Sequence, residues 1–404
     1  MSRFSTFASI IIVVATTGIA GRGDAQRVRS HAPATAETLE AAIQALQDER
    51  YDDATRALAS LDGAKLSPFE HSRAEQILFS VAYGQQRIDE AREHLQRAID
   101  AGGLSAPEIA QARYQRAQLL MSQERWVEGE AALEEWLAEN PQHSPAAEYL
   151  LAVARYQEND FDGALAPARA AVEGMQQPQE SWLSLLLALH LQNDRYLDAI
   201  PLLQQLVVLV PAKKSNWLQL SSVYGQLGDY ANASAIMQLA YNAGLLTEDA
   251  ELRRLADLLL FNKQPQRAAT VLEEAIEKGS VTLDDKLYEK LANAWIEARE
   301  FDKAIAPLER AAELAATGKQ FVRLGEVQVE RRDWTAAEIA LGRGIAKNGL
   351  DDVGAAQFLM GVVLFEQGRF TEARPWFAQA RESPPHRETA DAYIREIARR
   401  SRRL

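Results

Sequence analysis

One short fragment recurs along this chain: a bulky residue, two mostly polar residues, a small residue, then a leucine-rich stretch. It reads Tyr51-Asp-Asp-Ala54, Ile88-Asp-Glu-Ala91, Trp126-Val-Glu-Gly129, Phe161-Asp-Gly-Ala164 and Tyr196-Leu-Asp-Ala199. It continues as Tyr230-Ala-Asn-Ala233, Pro265-Gln-Arg-Ala268, Phe301-Asp-Lys-Ala304, Trp334-Thr-Ala-Ala337 and Phe370-Thr-Glu-Ala373. Successive copies lie 33 to 38 residues apart, the length of a helix–turn–helix unit. Ten copies in register predict a row of similar helical hairpins, because one such hairpin cannot bury its apolar face alone.

Each copy also carries a helix-pair pattern. Trp217, Leu220 and Tyr224 fall on one face of a first helix; Ala233, Met237 and Ala240 fall on one face of a second. Two helices cross closely only where side chains are small, which explains the pairs Ala152/Ala164, Ser221/Ala233, Ala256/Ala268, Ala292/Ala304 and Gly361/Ala373. A third small position (Ala98, Ala171, Ala240, Ala275, Ala311, Gly344, Ala380) lets the second helix meet the next repeat. Pro141, Pro211 and Pro385 follow second helices that they cannot continue. Three copies depart from the rule, with Leu61, Trp136, and Leu187 with Leu206 at small positions. Ala, Leu, Glu, Gln and Arg dominate and Val/Ile/Thr alternation is scarce, so an all-α fold is expected.

These residues resemble the tetratricopeptide repeat family from about residue 35 to 386. The resemblance implies a right-handed α-solenoid of about ten repeats, its concave face lined by the first helix of each pair. Four segments follow: an export signal over 1–25, a polar leader over 26–36, the repeat array over 37–385, and a basic capping helix over 386–404. Arg387, Arg395, Arg399, Arg400, Arg402 and Arg403 crowd that last segment, as a solvated cap or as a docking patch for an acidic partner or anionic headgroups.

The signal reading rests on Arg3, the apolar run Phe7 to Ala20, and the small residues Gly23 and Ala25 before a cleavage point. The run is shorter than the roughly 20 residues that span a bilayer, so cleavage, a periplasmic location and no membrane span thereafter are expected. With no cysteine the chain has no lipoprotein attachment point, disulfide or thiolate site. A net charge of −13 argues against nucleic acid as a partner.

Nothing in the sequence predicts catalysis or a cofactor. Phosphate-loop, dinucleotide-fold, serine-hydrolase and zinc-protease motifs do not occur. His31, His71, His94, His143, His190 and His386 show no spacing of a metal pair. Carboxylate pairs such as Asp52/Asp53 and Asp284/Asp285 stand at helix starts, where they complement the dipole.

The candidate function is protein binding. First-helix positions outside the core supply the candidate peptide-binding groove: Tyr114, Gln118, Tyr149, Tyr156, Gln157, Ser184, Gln219, Ser222, Arg253, Asp257, Lys290, Asn293, Arg323, Phe358 and Phe365. Amides can bond a peptide backbone and aromatic rings supply apolar area; the alternative is that Tyr149 and Tyr156 complete helix packing. Lys213, Lys214, Arg253, Arg254, Lys286, Lys290, Lys319 and Arg323 form either a basic stretch of groove that takes an acidic segment or a C-terminal carboxylate, or i,i+4 surface pairs with Glu289, Asp257 and Glu326.

A narrower resemblance is carried by Asn216-Trp-Leu-Gln-Leu-Ser-Ser-Val-Tyr-Gly-Gln-Leu-Gly-Asp-Tyr230, Leu239 to Leu246 and Leu252 to Phe261. Over about 180–345 the chain resembles periplasmic tetratricopeptide repeat proteins encoded beside TonB–ExbB–ExbD energy-transducing systems of Gram-negative bacteria. That implies an accessory of outer-membrane transport with TonB-system components as partners. The alternative is a general scaffold for outer-membrane or polysaccharide assembly.

Overall fold

The computed structural model describes residues 33–401, and every regular element among them is helical. The segment expected to be an export signal (1–25), His31, Arg402 and Arg403 lie outside the described residues. The chain divides into two compact units between Leu209 and Val210.

In the first unit, α1 (Pro33–Gln47) pairs with α2 (Tyr51–Ala59), and α3 (Pro68–Gly84) with α4 (Ile88–Asp100). Next come α5 (Ala106–Ser122) with α6 (Trp126–Glu139), α7 (Pro145–Gln157) with α8 (Phe161–Glu173), and α9 (Glu180–Gln192) with α10 (Tyr196–Leu209). The second unit begins with α11 (Lys214–Gln226) and α12 (Tyr230–Asn242), then α13 (Asp249–Phe261) and α14 (Pro265–Glu277). It continues with α15 (Asp285–Glu297) and α16 (Phe301–Leu314), α17 (Lys319–Glu330) and α18 (Trp334–Lys347), and α19 (Val353–Glu366) and α20 (Phe370–Ala380). A short 3-10 turn at Pro384–His386 leads to α21 (Arg387–Ser401), which packs on α20. The first helix of each pair is termed the A helix and the second the B helix.

The bulky residue of the recurring fragment opens every B helix, and two positions before it the backbone turns left-handed in all ten pairs. Gly228 and Gly368 fill that position in two of them; Glu49, Gln86, Glu124, Asn159, Asp194, Lys263, Arg299 and Arg332 fill the others. Polar side chains close several helix starts. Ser67 accepts from the Glu70 amide while Glu70 accepts from the Ser67 amide (2.8 Å), and Asp284 accepts from the Leu287 amide (2.7 Å).

The small residues occupy the crossings. Ala152, Ala164, Ala256, Ala268, Ala292, Ala304 and Ala373 have no exposed surface. A Cβ on Gly361 would stand 2.8 Å from the Phe377 ring, so even alanine would crowd the α19–α20 contact. Ala98, Ala171, Ala240, Ala311 and Ala380 are equally closed off where B helices meet the next pair. Gly344 and Gly318 bring α18 and the start of α17 into backbone contact. Trp136, large for its place, reaches across to donate from Nε1 to the Ala110 carbonyl at 2.7 Å. Among the described residues no helix is long and apolar enough to cross a membrane.

Candidate protein-binding surface

Several A-helix side chains expected in a groove are taken up by packing. The Tyr114 ring stacks on Trp136 at 4.6 Å, its hydroxyl bonds Gln118, and Gln118 itself is buried. Tyr149 stacks on Trp182 of the next A helix at 5.0 Å and shares a hydrogen bond with Ser181. Burial pushes both phenols above their ordinary range. Tyr156 lies 5.4 Å from Phe161, across the turn between α7 and α8. Phe358 is enclosed by Phe377, His386 and Tyr393, and Phe365 is buried against Phe370 and Tyr393 with Arg400 above it at 4.9 Å. The C-terminal helix therefore covers both rings.

The basic side chains of the second unit are largely neutralised, and mostly from one repeat away. Lys214 reaches Glu248 and Glu251 at 2.7 Å each; those hydrogen bonds raise its pKa. Arg253 contacts Asp249 (2.7 Å), Asp284 (3.1 Å) and the Thr282 carbonyl (2.8 Å). Burial pulls its pKa down, but the two carboxylates more than offset that. Lys290 pairs with Asp257, Lys319 with Asp351 at 2.6 Å, and Arg323 with Glu326 at 3.0 Å. Arg254 and Lys286 are exposed and make no ion pair among the described residues. The local pairing expected with Glu326 is present, whereas Asp257 is engaged across repeats, because the period sets successive A-helix starts side by side.

Of the candidate groove positions, those that stay open and unpaired among the described residues are polar and uncharged. Gln157 on α7, Ser184 on α9, Gln219 and Ser222 on α11, and Asn293 on α15 are exposed or half-exposed. They make no side-chain hydrogen bond among the described residues. On each unit by itself such groups can donate to and accept from the main chain of a bound segment, whatever its side chains.

Each of the five described histidines stands by a carboxylate: His71 and His94 at Glu75 (3.7 and 2.6 Å), His143 at Glu148 (2.9 Å), His190 at Asp198 (3.7 Å) and His386 at Asp352 (3.0 Å). The His94, His190 and His386 contacts tie neighbouring elements, whereas His71 and Glu75 both lie on α3. Among the described residues no group of His, Asp and Glu is arranged to hold a metal ion.

A sequence model of the tetratricopeptide repeat matches residues 78–144, 114–179, 253–319 and 322–387, more than half of the chain, and a second such model matches 215–243. The chain belongs to the tetratricopeptide repeat family. No curated protein matches it. Solved structures similar to this tetratricopeptide repeat chain include one from Parabacteroides merdae, a tetratricopeptide repeat protein (14% identity over 63% of this chain and 98% of that one, TM-score 0.33). Another is the C-terminal part of a repeat-containing protein from Cytophaga hutchinsonii (15% identity, 60% and 98% covered, TM-score 0.35). A third is yeast Tom70 (13% identity, 91% and 96% covered, TM-score 0.33).

As a tetratricopeptide repeat protein the chain is a scaffold for protein interaction. One exposed feature escaped the sequence reading. Phe261, at the end of the A helix α13, is 63% exposed and packs on Tyr230, itself 38% exposed, with ring centroids 4.4 Å apart. Aligning the copies at their turns would have brought out the cations beside it, Lys263 and Arg299, which stand in register with Gly228 and Gly368.

Proposed function

We propose that this protein is an exported periplasmic adaptor that holds an extended peptide segment along its A helices, as an accessory of a TonB-type outer-membrane transport system. The observation that carries the peptide reading is the set of open amides and hydroxyls at Gln219, Ser222 and Asn293 on the A helices of the second unit, without a side-chain hydrogen bond among the described residues. Sequence-tolerant polar contacts of this kind suit a main chain. The periplasmic setting is supported by the export signal at the N-terminus, and the TonB association by the run Asn216 to Tyr230, which forms α11 and its turn.

The test is fractionation of the native host followed by photo-crosslinking from a reactive residue at Gln219. Crosslinks to TonB-system components in the periplasmic fraction are expected. Crosslinks to outer-membrane or polysaccharide assembly subunits would replace the transport reading with a general envelope scaffold. A cytoplasmic protein would end both.

A further inference from the structure

The edge of the second unit formed by its A-to-B turns carries an aromatic pair beside three cations. Asn262 donates to the Tyr230 carbonyl (2.6 Å) and the Ser234 hydroxyl (2.7 Å), which fixes the end of α13 on the start of α12. Phe261 is thus held in the open by a rigid backbone and not by a mobile loop. Two residues further along the chain a cleft of about 540 Å³ opens, lined by Lys263, Gln264, Pro265, Gln266, Arg267 and Ala298. Lys263, Arg267 and Arg299 are exposed and make no ion pair among the described residues. Lys263 (φ 57°) and Arg299 (φ 59°) also occupy the left-handed turn position, against the backbone preference of long side chains. Segments 261–267 and 297–300 hold three cations against two acids, Glu297 and Glu300, a local positive excess in a chain of net charge −13.

We infer that this edge docks an acidic polypeptide segment, whose bulky apolar side chain seats against Phe261 and Tyr230 while its carboxylates meet Lys263, Arg267 and Arg299. Fixed aromatic rings and arginines are the residue types that anchor interfaces, and the cations supply charge complementarity. The concave cleft suits a chain segment better than the flat surface of a bilayer. The site is separate from the polar A-helix positions Gln219, Ser222 and Asn293 and stands whether or not they bind a peptide.

Fluorescence anisotropy of a labelled synthetic peptide of Asp and Glu around a central Trp, titrated with the full chain, tests this. The same peptide with Asn and Gln in place of the acids is the control. The acidic peptide should bind, the control should not, and added salt should weaken binding. Phe261→Ala and the double variant Lys263→Glu/Arg267→Glu should each weaken it about tenfold or more while leaving the circular dichroism spectrum unchanged. No binding, or equal binding by the variants, overturns the inference. So does capture of the chain by phosphatidylglycerol vesicles, or self-association in sedimentation velocity, that is lost in Phe261→Ala, since either would assign the edge to a bilayer or to a second copy.

Discussion

Ser221 Oγ donates to the Ala233 carbonyl at 2.9 Å, with Ser221 wholly buried and Ala233 1% exposed. A side chain on one helix reaches the backbone of its partner only if the two run nearly in contact. Small residues at both positions permit that approach. Ala233→Leu should therefore overpack the crossing and destabilise the chain by about 1–3 kcal/mol. Ser221→Ala, which removes one hydrogen bond and little volume, should cost about 1 kcal/mol. Urea unfolding of both variants checks the order; an unchanged midpoint for Ala233→Leu would refute close packing there.

Eight of the ten left-handed turn positions hold a residue other than glycine. Glu124 (φ 58°) is exposed and makes no ion pair among the described residues, so its side chain offers nothing there that glycine would forfeit. Glu124→Gly should raise stability by about 1 kcal/mol by relieving the left-handed backbone, and the thermal midpoint should rise accordingly.

Arg253 and Arg323 looked alike as candidate ligand contacts, but their surroundings differ. The Arg253 side chain is 16% exposed and has three acceptors, whereas Arg323 is 47% exposed with one. Arg253→Met should cost about 1–3 kcal/mol and Arg323→Met no more than about 0.5 kcal/mol. Comparable losses in chemical denaturation would contradict the ion-pair geometry between α13 and the start of α15.

His190 is buried on α9, and its Nδ1 has no hydrogen-bond partner among the described residues. Burial lowers its pKa from the usual 6.5; Asp198 opposes this, while Arg169 and Arg195 add to it. The unfolded chain therefore takes up the proton at higher pH than the folded one. Stability should be full above the unfolded value and fall as the pH drops from there toward the folded value. His190→Gln should flatten stability between about pH 7 and pH 5, and Asp198→Asn should steepen it. Parallel slopes in all three proteins would show that His190 is not the titrating group.

The fold was legible because its determinants are local. A bulky residue opening each B helix, small residues at fixed offsets and apolar residues at helical spacing need only a few tens of contiguous residues to be seen. Turn chemistry was less so, since the left-handed position is marked by glycine in only two of ten pairs. The candidate groove was hardest to read. Tyr149 and Gln219 share the same kind of position, yet Trp182 and Ser181 occupy the tyrosine while the glutamine stays open.

The sequence alone determined that this chain makes paired helices with a close seam, because helix period and side-chain volume act within one repeat. Only the tertiary structure decided which partly exposed side chains are still free to bind. Lys290 finds Asp257 and Lys214 finds Glu248 a full repeat away in sequence. Charge and hydrogen-bonding capacity act over a few ångströms of space, and no periodicity records what the neighbouring repeat places within that distance.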